Sequence, residues 1–164
     1  MYSREEIFTV CFFGHRYIDS FKIIETQIEE LIREIITVHK YVEFLVGRNG
    51  DFDQIVSSVI KSVKKEFCGI ECTHILVLPY HSAVLRKNEK CFFDYYDEIE
   101  ICPDSCTAHF KNAIQIRNKK MIDRADLCVF YVEHQSGGAF QSMQYAVKKN
   151  KQIVNLTDMS INAF

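Results

Sequence analysis

The chain is poor in the residues that break or staple a fold. Two prolines and six glycines in 164 residues leave no Pro/Gly-rich linker, so a single domain over residues 1–164 is expected. No apolar run approaches the ~20 residues needed to cross a bilayer, which excludes a membrane partner. An excess of charge of one sign is also missing. Lys and Arg number 20 against 22 Asp and Glu, a net charge of -2. A dedicated nucleic-acid binder usually carries a basic surplus or stripe, so no nucleic-acid partner is expected. CxxC spacing is absent as well. The seven cysteines are odd in number and scattered, and Cys68/Cys72 and Cys102/Cys106 are each separated by three residues. Neither a disulfide framework nor a metal site is expected, and reduced thiols point to the cytoplasm. The opening Met1-Tyr2-Ser3-Arg4-Glu5-Glu6 is charged and does not read as a signal sequence.

What the chain does have is apolar material, 48% of its residues, in two alternating periods. Ile7 to Phe13, Val42 to Val46, Ile75 to Leu78, Leu127 to Val132 and Gln152 to Leu156 read as strands, with Glu98 to Ile101 as a short one. Between them lie helical stripes. Ile24, Ile28, Leu31, Ile32 and Ile35 form one, with Asp19 or Ser20 as its cap; Ile55, Val59, Ile60 and Val63 form another, with Asp53 as its cap. From His109 to Arg124, Phe110, Ala113, Ile114, Met121 and Ile122 mark a helix, and Ala139 to Asn150 is expected to turn Met143, Ala146 and Val147 inward. Residues 80–96 read as loop or short helix around the aromatic run Cys91-Phe92-Phe93-Asp94-Tyr95-Tyr96. That run suits core packing, a dimer interface or base stacking. Strands alternating with helices give an α/β fold, a single Rossmann-like three-layer domain with a mostly parallel sheet.

Three strand ends carry polar, glycine-bearing loops: Gly14-His15-Arg16, Gly47-Arg48-Asn49-Gly50-Asp51, and Ser136-Gly137-Gly138. In a doubly wound sheet these loops converge on one edge, where backbone N–H groups and a helix N-terminus hold an anion. Arg16 is placed to pair with a phosphate, and Ser136 to hydrogen-bond it or cap the helix. His15 is expected to hold its loop by bonding to backbone. Asp51 and Asp53 are candidates for ribose hydroxyls, with a plain helix cap the alternative for Asp53. Glu133 ends its strand as the remaining carboxylate candidate for the cleft.

Cys11-Phe12-Phe13-Gly14-His15-Arg16 resembles the strand-then-GHR opening of YpsA-like proteins in the SLOG (Smf/DprA-LOG) superfamily. Gly47 to Asp53 is similar to the second glycine loop of that family. Arg117-Asn118-Lys119-Lys120-Met121-Ile122-Asp123 resembles its RN-x-x-MVD segment, and Leu127 through Ala146 its strand, SGG loop and helix. The resemblance implies a Rossmann-like fold and a nucleotide-related ligand, and it brings Arg117 and Asn118 to the pocket. By composition alone that pair belongs to a solvated face. The superfamily's nucleotide hydrolases carry PGGxGTxxEE, with glutamate acting on the sugar; here Met143 and Gln144 stand in those places. A glycosidic step needs a carboxylate there, so turnover is not expected, and an enzyme would have to use Glu133 or an Asp of the second loop. The reading is a cofactor-free sensor or sequestering module for a small nucleotide-like ligand, with homo-oligomerisation expected. The alternatives are a nucleotide N-glycosidase or phosphoribohydrolase, and a DprA-like protein that handles single-stranded DNA.

Overall fold

In the computed structural model, which describes residues 1–158, the chain forms six strands and six helices. In order these are β1 (Ile7–Gly14), α1 (Phe21–Val38), β2 (Tyr41–Val46), α2 (Asp51–Glu66), β3 (Glu71–Leu78), α3 (Ala83–Lys87), α4 (Glu89–Tyr95), β4 (Glu98–Ile101), α5 (Phe110–Arg124), β5 (Leu127–Tyr131), α6 (Gly137–Lys148) and β6 (Gln152–Asn155). The strands make one sheet in the order β4-β3-β2-β1-β5-β6, and every pairing is parallel. The last six residues of the polar tail lie outside the described residues.

Side-chain alternation along β1 builds both faces of the core. Val10 and Phe12 join the layer under α1 and α2, whereas Cys11 and Phe13 join the layer under α5 and α6. β5 is buried along its whole length, as expected for a central parallel strand covered on both sides. On α1, Ile24, Ile28, Ile32 and Ile35 are buried at the four- and three-residue spacings of one helix face. Ser20 is its N-cap residue, but no side chain caps that helix.

Some expectations need correction. Val147 faces water, at 60% exposure. On α6 the inward stripe is Ala139, Ser142, Met143 and Ala146, which leaves Val147 outside it. Of the helix-cap candidates, Asp53 sits inside α2 rather than before it, and Gly50 occupies the cap position. Strand β3 starts at Glu71, four residues before its apolar run, because the polar residues Thr73 and His74 are themselves buried.

The chain runs from β1 outward to β4, then returns to β5 on the other side of β1. The loops after β1 and β5 therefore leave the sheet in opposite directions. The crevice between them is where open parallel sheets bind ligands.

Candidate ligand cleft at the strand ends

A cleft of about 290 Å³ opens above β1, β2 and β5, close to the ~300 Å³ at which small-molecule sites begin. Its lining includes Gly14, His15, Arg16, Gly47, Asn49, Gly50, Asp53, Arg117, Asn118, Gly137 and Gly138. All three glycine loops and the Arg117-Asn118 pair thus meet at one place. Asp51, Glu133 and Ser136 lie outside the lining.

Side-chain-to-backbone bonds stitch the loops together. His15 Nε2 accepts from the Glu133 N–H at 2.8 Å and, more weakly, from the His134 N–H at 3.4 Å. An imidazole accepts there only when that nitrogen is unprotonated, so the proton sits on Nδ1. Burial, then the neighbouring His134, pushes the His15 pKa below its ordinary 6.5 and favours this neutral form. Arg16 Nε donates to Asn49 O at 3.1 Å, and Arg16 O accepts from the Asp51 N–H at 2.8 Å. Asp51 accepts the Ile18 N–H at 3.1 Å, and Asp53 accepts the Asn49 N–H at 2.8 Å. Arg16 is held through Nε and is an exposed member of the cleft's lining.

The floor of the cleft is charged and buried. Arg117 is 3% exposed and Asn118 is 6% exposed. Arg117 Nη1 donates to Val77 O at the end of β3 at 2.9 Å, while Nε has no partner. Gly47 makes room for it: a Cβ there would lie 2.6 Å from Arg117 Nη1 and 2.9 Å from Asp53 Oδ2. Burial pushes the Asp53 carboxyl up, against the pull of the Asn49 N–H and of Arg117. Burial also lowers the Arg117 pKa, opposed by Asp53. Asn118 Nδ2 donates to Ser142 Oγ at 3.0 Å, and Ser142 Oγ donates onward to Gly138 O at 2.9 Å. Because that hydroxyl proton is already committed, the amide must present its NH₂ to Ser142. Asn118 Oδ1 is left buried without a partner.

The third wall is the start of α6. Gly137 has φ +88°, a left-handed conformation that suits glycine, and it turns the chain from strand end into helix. Ser136 makes no side-chain cap bond, and the first turn of α6 holds no acidic residue. The orphan N–H groups and positive end of this helix therefore face the cleft uncompensated.

Glu133 does not enter the cleft. It is exposed and stands near Tyr131, whose hydroxyl is pushed up to about 12 by burial and by that carboxylate. It lies two residues beyond the end of β5, in the exposed loop that leads to α6. Met143 packs on the core and Gln144 is exposed, so neither reaches the cleft. Asp53 is the one carboxylate in the lining. The residues best arranged for a metal are His15, Glu133 and His134, whose ligand atoms lie within 4.8 Å of one another. The Nε2 lone pair of His15 is already taken there by backbone N–H groups. Sequence reasoning passed over Ile114 and Ala139, which also line the cleft, and Ser142, which orients Asn118. The serine's place four residues after Gly138 was the available signal. All seven cysteines are free.

No protein-family model and no curated protein matches the chain. Solved structures do share its fold. DNA processing protein A (DprA) from Streptococcus pneumoniae superposes with a TM-score of 0.63 at 14% identity, over 92% of this chain and 50% of that one. DprA from Helicobacter pylori, whose structure is described for its single-stranded DNA binding mode, superposes with a TM-score of 0.62 at 15% identity, over 92% of this chain and 65% of that one. The chain thus spans half of one relative and just under two thirds of the other. At these identities the likeness is one of fold.

The expectation of no nucleic-acid partner is corrected by this comparison, because a protein of this fold binds single-stranded DNA. Net charge sums the whole surface, whereas binding follows the local field. Here Arg16, Arg117 and a bare helix N-terminus share one cleft within a chain of net charge -2. Among the described residues no helix is long and apolar enough to cross a membrane.

Proposed function

We propose that this chain is a DprA-like module for single-stranded nucleic acid, and that the cleft receives one phosphate-bearing nucleotide unit of the strand. The observation that carries this is the convergence on one cleft of the bare start of α6, with no acidic residue and no side-chain cap in its first turn, and of Arg16 and Arg117. The orphan N–H groups of that helix start donate to phosphate oxygens, and the two guanidinium groups add positive charge beside them.

A second reading is a free nucleotide or nucleotide-derived signal, as the YpsA-like motifs suggest. The small size of the cleft, about 290 Å³, favours it. Binding without turnover fits both readings, since the lining carboxylate Asp53 already accepts the Asn49 N–H.

The test is fluorescence anisotropy with labelled oligothymidylate, run beside a thermal-shift panel of mononucleotides, ADP-ribose and cyclic nucleotides. Salt-dependent strand binding that is lost in Gly138→Glu supports the proposal. A thermal shift with a free nucleotide, and no strand binding, moves the assignment to the second reading. No response to either class sinks both.

A further inference from the structure

A second cavity, about 680 Å³, lies beside the first along α3 and α4. Its walls include Phe21, Arg48, Val84, Phe92, Tyr95 and Tyr96. We infer that this groove is a base-stacking track for the strand whose phosphate-bearing unit occupies the cleft. The inference rests on the nucleic-acid reading of that cleft.

Three observations point to this occupant. The first is continuity. Gly47 and Asn49 line the cleft, and Arg48 between them lines the groove, so one loop forms the sill between the two cavities. A strand leaving the cleft over this loop enters the groove directly.

The second is charge. Arg48 is the single charged side chain in the groove's lining, which holds no carboxylate, although the chain as a whole has more acids than bases. Of the acids next in sequence to its lining, Asp94 and Asp97 border the adjacent depression, where Asp97 pairs with Lys64, Asp53 lines the first cleft, and Glu89 is exposed at the start of α4 outside the lining.

The third is the state of the rings. Phe21 and Val84 are 49% and 57% exposed on the groove, an unusual display of apolar surface. Arg48 Cζ lies over the Phe92 ring, 4.4 Å from its centroid, and Arg48 Nη1 reaches the Tyr96 hydroxyl at 3.5 Å. Lys61 lies 4.1 Å over Tyr95. Cations held against aromatic rings are the pairing that single-strand sites use, with rings taking bases and cations taking phosphates. A protein partner would be served by the apolar surface alone. It gives no reason for a lining cleared of acids and joined to an anion cleft.

The experiment compares a thymidine dinucleotide, which fills only the cleft, with a strand of about ten thymidylates. Wild type is expected to bind the longer strand more tightly. Phe21→Ala and Tyr95→Ala are each expected to weaken the longer strand about tenfold while leaving the dinucleotide unchanged. Both side chains are at least partly exposed, and unchanged melting temperatures check the fold. If the longer strand gains nothing, or neither substitution affects it, the track is overturned while the cleft stands. If neither oligonucleotide binds wild type, the cleft reading and the track fall together. A concentration-dependent dimer that Phe21→Ala dissolves would assign the groove to a second copy and also overturn the track.

Discussion

Two helices, α2 and α6, begin at the same edge of the same sheet, and each follows a glycine-bearing strand end. Their N-termini are nonetheless in opposite states. At α2 the chain supplies its own anions: Asp51 and Asp53 occupy the first turn, Asp53 binds the Asn49 N–H, and Asp51 binds the Ile18 N–H. At α6 there is no acid in the first turn and no side-chain cap. The same backbone device is closed in one place and left open in the other. A glycine at a strand end marks where a helix dipole can be used. The acids that follow it decide whether the protein uses it for its own stability or leaves it for a ligand.

The comparison predicts that damage at α6 shows in binding and damage around α2 shows in stability. The largest effect is expected from Gly138→Glu. A Cβ at Gly138 meets nothing closer than Gln115 Nε2 at 3.6 Å, so the substitution fits and puts a carboxylate where the anion belongs. Strand affinity, read by anisotropy, should fall about a hundredfold or more with little change in melting temperature. Retained affinity would show that the open end of α6 is not the anion site.

On the α2 side, His74 is 1% exposed and bonds Ser57 on α2 at 3.0 Å. Burial pushes its pKa down from 6.5 to about 4. The folded state therefore takes up this proton less readily than the unfolded chain. The resulting stability is complete above pH 6.5 and is lost as the pH falls to about 4, a change of about 3 kcal/mol. Urea unfolding across this interval should show the slope in wild type and a flatter one in His74→Gln. Equal slopes would sink the assignment.

Asp53→Ala should cost about 2 kcal/mol, since it strips the Asn49 N–H of its acceptor and Arg117 of its nearby charge. Chemical denaturation measures it, and a loss under about 0.5 kcal/mol would mean that α2 is not closed from within. The smallest effect belongs to Ser136→Ala, expected within about 0.5 kcal/mol because that hydroxyl caps nothing. A loss as large as that of Asp53→Ala would erase the contrast between the two ends.

The strands, the helices and the convergence of glycine loops were legible because they follow from period and punctuation, which are local. The burial of Arg117 and Asn118 was not. On α5 they occupy positions that a solvated face would also fill. What buries them is distant in sequence: the missing side chain at Gly47, the Val77 carbonyl and Ser142 on α6. Only the family resemblance placed them in the site. Glu133 misled for a related reason. Ending an apolar run puts a residue near the cleft, but β5 stops at Tyr131 and leaves Glu133 in the exposed loop beyond it. The groove along α4 escaped in the same way, because its neighbours Arg48 and Phe21 come from the β2–α2 loop and from α1.

The bonds from His15 to the β5 loop, from Arg16 to the β2 loop and from Asp51 back to Ile18 run between loops rather than along the sheet. Their consequence is thermodynamic. Loops that must be frozen by a ligand draw the ordering entropy from the binding free energy. Here that entropy is spent when the chain folds, so the cleft's shape precedes its occupant. Association at the cleft should therefore proceed with little ordering of backbone, and the heat-capacity change on binding a nucleotide unit should reflect only the surface it covers.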